Sequence, residues 1–191
     1  MKIKERPILF KGEMARAILS RQKTQTRRAL KLLEGWQFAR LEGSVAHVNK
    51  PGFHGEAHEK CPYGEPGDRL WVRETHARAG CKENCDHLSC HTIYRADKPK
   101  SAGMYGCVKW TPSIFMPRWA SRITLEITDV RVERLNQISN QDAVAEGIGQ
   151  PTDIRYAAED GFKPLWESIN GPNSFDDRWV WVINFELVTN S

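Results

Sequence analysis

Two stretches of this chain gather side chains that can do chemistry. Between positions 21 and 28, Arg21, Lys23, Arg27 and Arg28 stand together with Thr24 and Thr26. Such a cluster of cations suits an anionic partner such as a nucleotide or a nucleic acid; the plain alternative is a solvated basic face. Further on, the run Cys81-x3-Cys85-x4-Cys90-His91, with His76 and His87 nearby, supplies enough soft ligands for tetrahedral zinc. Its spacing is not that of paired Cys-x2-Cys knuckles, so unligated thiols are the alternative, and a metal here would staple a loop rather than activate water.

The charge is unevenly distributed. Residues 1–50 hold 12 Lys and Arg against 4 Asp and Glu, and the remainder holds 16 against 20, so the formal net charge of +4 divides into +8 and −4. With 191 residues, 40% of them hydrophobic and 27% charged, the chain has the composition of one globular domain with a full core, and positions 1–191 are expected to form that single domain. No apolar run approaches the roughly 20 residues of a membrane-spanning helix. The start, MKIKERPILFKGEM, lacks the apolar stretch and cleavage site of a secretory signal. The expectation is therefore a cytoplasmic protein with no membrane partner. Five cysteines are an odd set, which argues against a disulfide framework.

The elements that must position these residues follow from pattern. Arg6 to Phe10 reads as a strand and Gly12 to Ser20 as a helix, with Met14 and Ile18, then Ala15 and Leu19, at i,i+4 spacing. The Thr-rich segment 23–28 favours a strand, with Lys23, Gln25 and Arg27 on one face and Thr24, Thr26 and Arg28 on the other. Residues from about 33 to 59 show little periodicity and are expected to be an irregular or weakly paired insertion; a second inserted loop spans about 77–110. Pro66-Gly67 marks a turn before a strand at Leu70 to Glu74. Arg122 to Arg134 alternates clearly, with a bulge expected at Thr128-Asp129. Ser139-x-x-Asp142 has the form of a capping box opening a short helix that Gly147 ends. Phe162, Leu165, Trp166 and Ile169 mark another helix, and Trp179 to Val188 a central strand. Strand-helix-strand alternation is missing, which makes the class α+β, with a small mixed barrel the best fit.

The stretch from Ile18 to Arg28, the turn and strand from Pro66 to Glu74, and the segments Arg122 to Leu135, Asp142 to Ile148 and Trp179 to Leu187 together resemble the ASCH domain, in particular its longer members from phages and prophages. That resemblance implies a PUA-like mixed β-barrel with short flanking helices, and a bacterial or phage-infected cytoplasm. The family's Gly-x-Lys-x-x-x-x-Arg pattern places its charged positions on Lys23 and Arg28. Arg21 occupies the glycine position, so a non-glycine residue must adopt a backbone conformation that glycine takes more cheaply.

Small bacterial members of the family are amidohydrolases that deacylate N4-acetylcytidine and related nucleosides with a lysine, a threonine and a glutamate. These match Lys23, Thr26 and Glu146. On this basis the expected activity is hydrolysis of an N4-acylated cytosine nucleoside or a related modified nucleobase, with no cofactor needed for catalysis. Thr26 would be the nucleophile, Lys23 its base if burial and the neighbouring arginines lower its pKa, and Glu146 the group that orients the lysine or handles the proton. Arg28 would contact the oxyanion or a phosphate, and Arg73 with Glu74 the base edge. The alternative is a non-catalytic RNA- or nucleic-acid-binding module, which needs the charges but not the Thr26 hydroxyl.

Overall fold

Apolar residues alternate with polar ones along the longest strand of the chain, and that strand organises the rest. In the computed structural model, which describes residues 3–79, 91–97, 109–148 and 156–188, β9 runs over Thr124–Arg134 and buries Leu125, Ile127 and Val130. It lies between β6 (Arg69–Arg73) and β10 (Trp179–Leu187) in a five-stranded sheet completed by β1 (Glu5–Leu9) and β2 (Gln25–Ala29), in the order β1-β6-β9-β10-β2. The β1 and β6 pair is parallel and the other ladders are antiparallel. The expected bulge is present: Asn184 of β10 faces Asp129 while Phe185 faces Ile127, so Thr128 is left without a partner.

The sheet carries an apolar cluster on each face, because β10 contributes to both. Trp181 and Ile183 pack with Phe10, Ile18, Leu125 and Ile127 on one side. Val180 and Val182 pack with Leu135, Ala143, Phe162 and Trp166 on the other. Helix α1 (Gly12–Leu19) buries Ala15, Ala17 and Ile18, of which Ala15 and Ile18 belong to the first cluster. Helices α2 (Asn140–Ala145) and α3 (Lys163–Asn170) cover the second, α3 being entered through a π-helical turn over Ala157–Phe162. The mixed sheets and short helices make the class α+β. No closed barrel is shown by the described strands, although the two edge strands approach where the Arg28 guanidinium donates to the Leu9 carbonyl oxygen at 2.7 Å.

Residues 33–59 differ from expectation. They form a three-stranded antiparallel sheet of β3 (Gln37–Glu42), β4 (Val45–Asn49) and β5 (Glu56–Lys60), with the tight β3-β4 connection allowed by Gly43 at φ 55°. Short strands with charged outer positions give a weak periodic signal, yet the sheet is anchored: Phe38 lies 4.6 Å from the Trp179 ring, and Ala46 joins the first cluster. The ends of the second insertion pair as β7 (His76–Ala79) and β8 (His91–Tyr94). The rest of that insertion, with Cys81, Cys85, Cys90 and the His91 side chain, lies outside the described residues. Among the described residues no group of three or more His, Cys, Asp or Glu is placed to hold a metal, and no helix is long and apolar enough to cross a membrane.

Candidate functional site

The helix-to-strand junction at residues 20–25 sets the geometry. Helix α1 ends with Arg21 N–H bonded to the Ile18 carbonyl and Gln22 N–H to that of Ala17, the paired bonds of a Schellman ending. That ending needs a left-handed residue, and Arg21 takes it with φ 60°. The turn delivers Lys23 against the end of α2, where Lys23 and Glu146 form an isolated antiparallel bridge and Thr24 N–H donates to the Ala145 carbonyl. Gly147 closes the other side with φ 79°, and a Cβ there would stand 2.8 Å from the Lys23 Cβ.

Lys23 and Glu146 are thereby locked together. The lysine ammonium donates to Glu146 Oε2 at 2.8 Å and to the Glu146 carbonyl oxygen at 2.7 Å, with the lysine side chain fully enclosed. Burial drives the Lys23 pKa below the ordinary lysine value; the Glu146 charge opposes that shift, while Arg28 and Arg27 add to it. The other carboxylate oxygen accepts from Arg27 at 3.2 Å. Arg27 is itself fully enclosed and also donates to Glu133 at 2.9 Å and Asp142 at 3.2 Å. Arg131 closes the circuit by bonding both Glu133 and Asp142. Asp142 is pushed up by its partial burial, but Arg27 and Arg131 outweigh that and hold its carboxyl below the ordinary value. Three cations and three carboxylates thus neutralise one another along one face at the β2 edge.

Strand alternation sends Thr26 and Arg28 to the opposite face, as expected. In the ladder with β10, Thr26 sits opposite Ile183 and Arg28 opposite Trp181, the members of the first apolar cluster. Because β2 is an edge strand, side chains from both faces still reach one cavity of about 470 Å³. Its wall includes Thr26, Arg27, Arg28 and Glu146, together with Phe10 and Met14 from one side and Phe162, Leu165, Trp166 and Ile169 from the other. Lys23 is not part of that wall; it reaches the cavity through Glu146 and lies 5.6 Å from the centre of the Phe10 ring. The Arg28 guanidinium stacks at 5.3 Å from the same ring.

Arg73 and Glu74 are placed elsewhere. Arg73 donates to the Met116 carbonyl oxygen and stacks on Trp71. Glu74 is buried and takes a two-pronged pair of bonds from Arg122, which also grips Asp97. Neither lines the cavity, whereas the next residue, Thr75, does. The residues that sequence reasoning missed are Arg27, Glu133 and Arg131 as one circuit and the apolar wall from α3. Asp142 was legible only as a capping residue: its N–H does bond the Ser139 hydroxyl, but its carboxylate turns to the arginines.

No family model matches the chain, and no curated protein does. Among solved structures, it is similar to the crystal structure of protein EF3133 from Enterococcus faecalis V583, described under the family-model DUF984, with a TM-score of 0.44 and 12% identity over 98% of this chain and 82% of that one.

Proposed function

We propose that this chain is an amidohydrolase of the ASCH type its motifs resemble, on a PUA-like fold, releasing the acyl group from N4-acylated cytosine nucleosides or a related modified nucleobase. The observation that carries the reading is the convergence of Thr26 and Glu146 on one cavity, with an enclosed lysine of lowered pKa bonded to that glutamate. A neutral Lys23 amine bonded to Glu146 can take up the Thr26 proton through that carboxylate on the cavity wall as the hydroxyl oxygen adds to the acyl carbon. The tetrahedral oxyanion faces the Arg28 guanidinium. On collapse the C–N bond breaks, the proton returns from Lys23 through Glu146 to the cytosine nitrogen, and water then hydrolyses the threonine ester to the free carboxylate. Phe10, Phe162 and Trp166 offer ring faces for the base. Catalysis on this scheme uses no metal; a structural zinc at Cys81, Cys85, Cys90 and His91 is a separate proposal, checked by metal analysis of protein purified without chelator.

The non-catalytic nucleic-acid module draws less support. It rests on the basic cluster, and two of those four cations, Lys23 and Arg27, are taken up by internal carboxylates. The test is release of acetate and cytidine from N4-acetylcytidine, compared with the Thr26→Ala and Lys23→Ala proteins. The reading expects both variants to lose activity, Lys23→Ala by about 10²–10⁴-fold; equal turnover by all three proteins would refute it.

A further inference from the structure

We propose that Arg27 is a positioning residue for the Lys23 and Glu146 pair, holding Glu146 in place as a carboxylate while Lys23 gains and loses its proton. This rests on the amidohydrolase reading only for its catalytic consequence. The geometry is specific. Glu146 offers one oxygen to Lys23 at 2.8 Å and the other to Arg27 at 3.2 Å, so each cation has its own acceptor. A lysine and glutamate enclosed alone would be tied to one protonation state, because a neutral lysine would leave a buried carboxylate without a countercharge. With Arg27 present, that carboxylate keeps a cationic partner when Lys23 is neutral.

Arg27 is held in turn. Its remaining amino group bonds Glu133 and Asp142, and its guanidinium stands 5.8 Å from the centre of the Phe162 ring on the cavity wall. The charged groups that act on Lys23 are Glu146 at the end of α2 and Arg27 and Arg28 on β2, with the Phe10 ring as its aromatic neighbour. Removing Arg27 takes away a neighbouring positive charge and leaves Glu146 to Lys23 alone, and both changes favour the protonated lysine. The acid limb of kcat/KM, which rises as Lys23 becomes neutral, must then move to higher pH.

The experiment titrates Lys23 directly, by NMR of isotopically labelled lysine side chains with Lys23→Met for assignment, alongside the pH profile of N4-acetylcytidine hydrolysis. Arg27→Gln is expected to raise the Lys23 midpoint by about 1 pH unit, the lower end of what a neighbouring charge produces. Arg27→Lys, which keeps the charge, is expected to stay near wild type. Where Arg27→Gln does not fold, the double variant Arg27→Gln/Asp142→Asn also removes one of the carboxylates that lose the guanidinium, leaving Arg131 to Glu133, and the upward shift is expected there too. An unmoved midpoint in the charge-free variants overturns the proposal, as does the same shift in Arg27→Lys. A moved midpoint in a protein that hydrolyses no acylated nucleoside supports the role of Arg27 and refutes the proposed function.

Discussion

Removing the Glu146 carboxylate strands the enclosed Lys23, and takes from Arg27 one of its three carboxylate partners while Glu133 and Asp142 remain. The partner left behind in a buried pair keeps its desolvation penalty without its compensation, so Glu146→Ala is expected to destabilise the fold by about 3–5 kcal/mol. Urea denaturation measures this. A loss near the 0–1 kcal/mol of an exposed ion pair would mean that water reaches the pair. Thr26→Ala is a contrasting change: it removes one hydroxyl at the cavity wall and leaves the charged circuit intact, so it separates chemistry from stability. At this scale the sequence was informative about residue types and, through the resemblance, about Lys23 with Glu146, but silent about the partners of Arg27. Strand alternation put Lys23 and Arg27 on one face and Thr26 and Arg28 on the other, as found. It did not reveal that Glu133 and Asp142, more than a hundred positions away, would neutralise Arg27.

At the scale of elements, two helix ends fix the site, and each makes its own prediction. Arg21 holds a left-handed conformation at the end of α1. Glycine adopts it without the roughly 1 kcal/mol strain of a side chain, so Arg21→Gly is expected to stabilise the protein by about 0.5–1 kcal/mol, read as a rise in Tm, with activity kept. A fall in Tm would show that the Arg21 side chain supplies something the backbone does not. Gly147 is the opposite case: Gly147→Ala adds strain at φ 79° and drives a methyl group into Lys23 and Ala17, whose Cβ atoms would stand at 2.8 and 3.0 Å. Loss of both stability and activity is expected, and wild-type turnover would mean that the Lys23 position is not critical. The Gly147 end was visible in the sequence, because a glycine after an apolar turn is a local signal; the Arg21 end was visible only through the resemblance, whose pattern has a glycine at that position. The strands of residues 33–59 were not, because each is short and their pairing is decided by packing on Trp179 and the first cluster.

Across the whole molecule, the site lies at the β2 edge of the main sheet, where groups from its two faces meet, while the β3-β4-β5 sheet anchors through Phe38. Phe38→Ala is therefore expected to lower stability by about 1–3 kcal/mol, less than for a fully buried Phe, and to leave kcat/KM unchanged. A selective loss of activity would tie that sheet to the reaction. The central claim concerns the threonine, since charge alone would serve a binding module and only hydrolysis needs the hydroxyl. Its most direct test is the rate of cytidine release from N4-acetylcytidine by wild-type and Thr26→Ala proteins of matched Tm. The account predicts turnover by the first and none above background by the second; equal rates, or no release by the wild type across a panel of N4-acylated cytosine nucleosides, would contradict it.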